Sequence, residues 1–146
     1  MSWLFGYGSL LPAGEARACE LTGWKRSWSV AMDNTVDLPG YKHFVTPDGE
    51  RPDLMVAFLS IAPQPGATVN GVALPVADDA LPALDERERN YARVDVTGQI
   101  DGLDGQVWAY AGLDAARERL ARGLREGRAA IASSYLERVE DRKSVV

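Results

Sequence analysis

Apolar and polar residues alternate over several short stretches of the chain, and only two stretches repeat at helical spacing. Trp3-Leu4-Phe5 reads as a short strand running into Gly6-Tyr7-Gly8-Ser9-Leu10, a loop with two glycines. From Leu21 to Met32, the residues Trp24, Trp28, Val30 and Met32 fall at even spacing with Lys25, Ser27 and Ser29 between them, the pattern of a strand with one buried face. Leu54 to Ile61 is almost continuously apolar between Asp53 and Pro63, which predicts a strand covered on both faces. Gly66 then predicts a turn, with Val69 to Val76 as the hairpin partner and Pro75 marking its end or an edge. Ala92, Val94 and Val96 alternate with Tyr91, Arg93, Asp95 and Thr97. Beyond the turn residues Asp101-Gly102 and Asp104-Gly105, Gln106 to Ala111 completes a second hairpin.

The helical stretches run from Asp78, a candidate N-cap, to about Glu88, and from Asp114 to Arg142. In the second, Leu120 and Leu124, then Ile131, Tyr135, Leu136 and Val139, follow the helical period, and Gly123 and Gly127 are expected to divide it. Between Thr35 and Pro52, the pairs Pro39-Gly40 and Asp48-Gly49 together with Pro47 predict a long surface connection of the kind that shapes substrate pockets. Strands outnumber helices, and one helix lies between hairpins. The expected fold class is therefore α+β (mixed α/β), a small curled sheet or β-barrel with flanking helices, and not a regular βαβ array. With 146 residues, the chain is expected to form one domain spanning 1–146.

Composition narrows the function. With 46% hydrophobic and 25% charged residues the chain is an ordinary globular sequence, so neither disorder nor a membrane span is expected. A formal charge of -5, with the arginines interleaved among acids, argues against nucleic acid as a partner. Cys19 is the only cysteine, which excludes an internal disulfide and a multi-cysteine zinc site, and it reads as a small buried residue. The N-terminal segment lacks a basic n-region and its apolar run is broken by Gly6 and Gly8, so the expected location is cytoplasmic. His43 is the only histidine, so a His-based metal cluster is impossible, and Ser9 is not flanked as in G-x-S-x-G.

Two features carry candidate chemistry. On a helical wheel Glu88 lies about 20° from Leu81 and about 40° from Leu84, on their apolar face, while Glu86 points to the opposite side. A carboxylate turned inward loses hydration and can exchange protons near neutral pH. The wheel alone equally accommodates a frayed helix end whose carboxylate pairs in solvent with Arg87, Arg89 or Arg93, which is the simpler reading. The glycines of the Gly6 to Leu10 loop let a ligand approach the main chain, so the loop is either an anion cradle or a turn that merely packs tightly. It does not fit a dinucleotide or a phosphate loop, since Leu11 stands where the third glycine of G-x-G-x-x-G belongs and no Gly-Lys-Ser/Thr follows. Asp33 and Asn34 could contact a ligand but serve equally well as turn caps.

Taken together, Phe5-Gly6-Tyr7-Gly8-Ser9-Leu10 and Leu84-Asp85-Glu86-Arg87-Glu88-Arg89-Asn90-Tyr91 resemble the two signatures of the γ-glutamylcyclotransferase family, including its ChaC-type branch. Leu21-Thr22-Gly23-Trp24-Lys25-Arg26 is similar to the family's second strand, and Val69-Asn70-Gly71-Val72-Ala73 to the strand leading into its active-site helix. The resemblance covers about residues 3 to 112. It implies that Glu88 is the catalytic general acid/base and that Tyr7, Gly8, Ser9 and Leu10 bind the γ-glutamyl group. It also suggests Tyr91 and Tyr135 as pocket-lining hydroxyls. The implied reaction releases 5-oxoproline from a γ-glutamyl peptide, a γ-glutamylamine or glutathione and requires neither metal nor organic cofactor. The implied partner is a small-molecule γ-glutamyl substrate; charge and composition predict no nucleic acid and no membrane, and a monomer is the default expectation, with a dimer possible. Leu11-Pro12-Ala13 stands where the ChaC-type branch usually has an aromatic residue, which leaves glutathione specificity open. The alternative is a non-catalytic binding module of the same fold for γ-glutamyl or amino-acid ligands.

Overall fold

A computed structural model describes residues 2–7, 17–37 and 43–132. Gly8, Ser9, Leu10 and Tyr135, with the helical pattern expected beyond residue 132, lie outside the described residues. Among the described residues, six strands form one sheet: β1 Ser2–Gly6, β2 Arg17–Asp33, β3 Met55–Val76, β4 Tyr91–Asp95, β5 Val107–Gly112 and the short β6 Ala129–Ala130. Two helices, α1 Leu81–Arg87 and α2 Asp114–Arg125, accompany it. The order across the sheet is β2-β3-β1-β5-β4, with β6 pairing to the start of β3. The β1–β5 pair is parallel, as is β3–β6, and the other pairs are antiparallel.

The result is a mixed α/β fold with a curled, half-barrel-like sheet, as expected. The curl brings the connection after β4 back to the opposite edge. Thr22 N–H on β2 donates to the Gln99 carbonyl at 2.9 Å, and Trp24 Nε1 donates to Gln99 Oε1 at 3.1 Å. Phe5, Leu21, Ile61, Val69, Val96 and Val107 are buried together inside the curl. A second cluster, Ala31, Met55, Ala57 and Leu120, forms where α2 lies over β2 and β3.

The expected hairpin between Leu54–Ile61 and Val69–Val76 is not formed. Both segments belong to β3, a single strand of 22 residues, and both pair with β2, from Asp33↔Met55 to Arg17↔Ala73. Pro63 and Pro65 lack amide donors and Gly66 adopts φ +82°, so the chain bends there without reversing. The register with β2 slips at the same place, between Thr22 and Trp24, where Gly23 adopts φ +87°. A second slip between Trp28 and Val30 interrupts the alternation read from the sequence. Val30, Ala31 and Met32 are all buried, because α2 covers the face of β2 that alternation assigns to solvent.

The second hairpin, β4 with β5, forms as expected, and Gly102 and Gly105 take φ of +82° and +93° in its connection. Asp78 does not cap a helix by its side chain; it opens a 3₁₀ turn, Asp78–Ala80, and accepts a 2.5 Å hydrogen bond from the Ser2 hydroxyl instead. Gly123 does not divide the last helix. A Cβ there would lie 2.7 Å from Met55 Cβ and Cγ, so Gly123 is the point of contact between α2 and β3, and the helix stops at Gly127, with φ +68°.

Asn34 and Asp33 behave as turn residues. Asp33 Oδ1 accepts from the Thr35 amide at 2.9 Å and from its hydroxyl at 2.7 Å. Asn34, fully buried, donates to the Phe44 and Pro52 carbonyls at 2.9 and 3.0 Å and accepts from Phe44 N–H at 2.7 Å. It thereby ties both ends of the connection between β2 and β3. Asn34→Ala leaves three half-buried backbone groups without these partners and is expected to cost about 2–4 kcal/mol in urea unfolding. A loss below about 0.5 kcal/mol would show that other contacts hold the connection.

Candidate active site

The parallel pairing of β1 and β5 sends both strands out of the sheet at the same end, since Trp3, Leu4 and Phe5 pair with Val107, Trp108 and Ala109. β4 begins at that end too, because Tyr91 pairs with Gly112. The exit of β1 at Tyr7, the exit of β5 and the turn from α1 into β4 therefore converge. In open sheets the carboxyl ends of parallel strands are where ligands gather.

Glu88 caps α1 at this convergence. Its N–H donates to the Leu84 carbonyl and its own carbonyl accepts from Tyr91 N–H, both at 2.9 Å, which holds the residue in a tight turn. Leu81 starts the helix and is buried, and Pro82 stands in its first turn. The inward rotation expected from the wheel is observed, with the Glu88 side chain 9% exposed. Burial pushes its carboxyl above the usual glutamate range, against the opposing charge of Arg87. Arg87 Nε stands 4.0 Å away on a side chain that is 67% exposed, so it compensates only weakly. No side-chain hydrogen bond reaches the carboxylate among the described residues.

Tyr110 on β5 links the parts of the site. Its carbonyl accepts from the Tyr7 hydroxyl at 2.5 Å, and its hydroxyl donates to Asp85 Oδ1 at 2.8 Å. Burial, the hydrogen bond to Asp85 and the charge of Asp85 push the phenol far above its usual range; Glu88 adds to the shift and Arg93 opposes it. Arg93 grips the same carboxylate, Nε to Oδ1 at 2.9 Å and Nη2 to Oδ2 at 3.1 Å, and lies 4.3 Å over the Trp108 ring. Asp85 is partly desolvated, which raises its pKa, but the hydrogen bonds from Tyr110 and Arg93 and the Arg93 charge win and hold it below the usual range.

The exit of β1 is held from the other side. Arg26 on β2 donates Nη1 to the Tyr7 carbonyl at 3.0 Å and Nη2 to Asn70 Oδ1 at 2.8 Å. Beside Asn70, a Cβ on Gly71 would lie 2.3 Å from the Gly6 carbonyl oxygen, so only glycine lets β1 and β3 pair this closely. Asn70 and Gly71, within the Val69 to Ala73 segment, thus serve the packing of the loop's first residues.

Of the residues the sequence suggested, Tyr7 is hydrogen-bonded to Tyr110, and the charge of Glu88 acts on the same phenol. The Tyr7 side chain is buried, its ring stacked on Phe5 at 6.4 Å between centroids. The Tyr91 hydroxyl donates to the Leu59 carbonyl at 2.8 Å, tying the start of β4 to β3. Asp85, Arg93, Tyr110 and Arg26 were not nominated, and for good reason: their partners lie 8 to 44 residues away and no local pattern marks them. Cys19 is half-buried and its thiol is raised by that burial, against the charge of Arg17. No helix among the described residues is long and apolar enough to cross a membrane.

Residues 4–128 match the family described as gamma-glutamyl cyclotransferase, AIG2-like. No curated protein matches the sequence. Among solved structures, the chain is similar to one titled gamma-glutamyl cyclotransferase, with 17% identity, a TM-score of 0.47 and coverage of 85% of this chain and 78% of that one. It is also similar to At5g39720.1 from Arabidopsis thaliana, at 20% identity, TM-score 0.47 and coverage of 79% and 70%. A third, the Homo sapiens protein loc79017, shares 16% identity at TM-score 0.47 over 94% and 85% of the two chains. Because the family match takes in most of the sequence, from β1 through α2, this chain belongs to the gamma-glutamyl cyclotransferase, AIG2-like family.

Proposed function

We propose that this protein is a γ-glutamylcyclotransferase that releases 5-oxoproline from a γ-glutamyl compound, with Glu88 as the general acid/base and the Tyr7 to Leu10 loop holding the γ-glutamyl group. The observation that carries the proposal is the buried carboxyl of Glu88, weakly compensated and set where β1 and β5 leave the sheet.

The reaction asks little of the protein beyond proton transfer and positioning. The α-amine and γ-carbonyl of the substrate belong to one molecule, so binding in a folded conformer replaces an external nucleophile. The Glu88 carboxylate takes a proton from the ammonium group, and the freed amine attacks the γ-carbonyl carbon to form the ring C–N bond. The oxygen of the tetrahedral intermediate carries negative charge, which main-chain amides of the loop would stabilise. Protonated Glu88 then delivers its proton to the departing nitrogen as the original amide C–N bond breaks. The ring nitrogen gives up a second proton before the lactam is complete, and the released amine takes up one more on becoming an ammonium ion. Glu88 ends as it began. A carboxyl raised above its usual range suits both steps, being a stronger base when ionised and a group that still holds a proton closer to neutrality.

Turnover of γ-glutamyl dipeptides, γ-glutamylamines and glutathione, assayed side by side for 5-oxoproline, tests the proposal. One of these classes is expected to turn over, with kcat/KM falling on the acid side at a midpoint above 4.5, the ordinary glutamate value, because the ionised base is the form lost as pH drops. Absence of 5-oxoproline from all three refutes the proposed reaction.

A further inference from the structure

α1 is seven residues long, too short to persist by itself in water, and no side chain caps its N-terminus. Its orientation must come from contacts with the rest of the molecule. At its start Leu81 is buried. Towards its end, Asp85 is the one α1 side chain among the described residues with a hydrogen bond to another element. The donors come from both strands of the hairpin, Arg93 on β4 as a two-armed fork and Tyr110 on β5 at 2.8 Å. Arg93 is itself seated over Trp108. Glu88 follows three residues later, nearly one helical turn on.

We infer that Asp85 is a positioning residue: through Arg93 and Tyr110 it locks the last turn of α1 onto the β4–β5 hairpin and so sets where the Glu88 carboxylate points. The inference rests on the role given to Glu88 above and adds the device that aims it. Asp85 acts through the helix and touches no reacting atom. Its side chain is 40% exposed and that of Arg93 23%, so the pair adds little to global stability, while its fork fixes an orientation. Among the described residues, the charged group that acts on Glu88 is Arg87 from its own helix; the charge of Glu88 in turn acts on Tyr110 of β5, which is itself fixed by Asp85.

Two variants test this, Asp85→Asn, which opposes an amide NH2 to one arm of the fork, and Arg93→Gln, which removes the fork from the other side. Glu86→Gln, at an exposed position, is the control. Both test variants are expected to lower kcat for 5-oxoproline release about 10- to 100-fold, the scale of a 1 Å misplacement, with KM changed less than about threefold. A second readout does not depend on turnover. Carbon-13 NMR of the Glu88 carboxyl, assigned by its loss in Glu88→Gln, is expected to titrate at lower pH in both variants, because a loosened turn admits water to the carboxylate. The control leaves kcat and midpoint unchanged. An unchanged midpoint in both variants overturns the inference, whatever the turnover. A lowered midpoint in a protein that makes no 5-oxoproline upholds the role of Asp85 and removes the reaction assigned to Glu88.

Discussion

Glu88→Gln is expected to abolish most 5-oxoproline release, lowering kcat by about 10²- to 10⁴-fold, the usual contribution of a positioned general acid/base, while leaving the protein folded. The same change is expected to raise stability at neutral pH. The folded-state pKa of Glu88 lies above its unfolded value of 4.5, so folding favours the protonated form. The favourable contribution is fully present below 4.5 and is lost as pH rises through the folded-state value, beyond which a desolvated charge burdens the native state. Glutamine removes that charge. Its melting temperature should exceed the wild type's at pH 7, by about 3 °C for each kcal/mol recovered, and the two should converge in acid below the ordinary glutamate value. Calorimetry across pH together with the 5-oxoproline assay checks both halves. Wild-type turnover in a folded variant would remove Glu88 from the reaction, and a lower melting temperature at pH 7 would mean that its carboxylate is compensated after all.

Gly71→Ala is expected to have the largest effect on stability. The new Cβ would meet the Gly6 carbonyl oxygen at 2.3 Å and Phe5 Cζ and Cε1 at 2.7 and 2.9 Å. The first is main chain in mid-sheet and the second belongs to one of the most deeply buried rings, so neither yields cheaply. The cost should reach or pass ~3 kcal/mol, the upper end of ordinary overpacking penalties, and lower the melting temperature by about 10 °C. Gly102→Ala provides the contrast: it has nothing within 4 Å, so only its φ of +82° opposes a side chain, at about 1–2 kcal/mol. If Gly71→Ala unfolds in urea no earlier than Gly102→Ala, the close approach of β1 to β3 is not the constraint argued above.

Local patterns carried much of the fold. β1, β4, β5 and the buried half of β3 follow alternation or continuous apolar runs, and the turns between β4 and β5 stand where Asp-Gly pairs occur. The failures have a common cause. Pro63 and Gly66 look like punctuation, yet one partner strand, β2, spans both sides of them, and its pairing carries β3 straight past the bend. Gly123 looks like a helix breaker until Met55, 68 positions earlier, is set against it by the fold. At the site, the burial of Glu88 was legible because helical rotation is a local property. Asp85 was not, because an acid among acids and arginines gains meaning only from Arg93 and Tyr110 on the facing hairpin.

β1 is laid between β3 and β5, and its neighbour on one side, beginning at Val107, is translated about a hundred residues later. Until then one row of its amides and carbonyls has only water or foreign strands to bond with. A nascent chain arrested before residue 107 should therefore expose the edge at which Tyr7 emerges and recruit chaperones there. The setting of Glu88 then becomes a late product of synthesis, assembled only when the β4–β5 hairpin closes against β1.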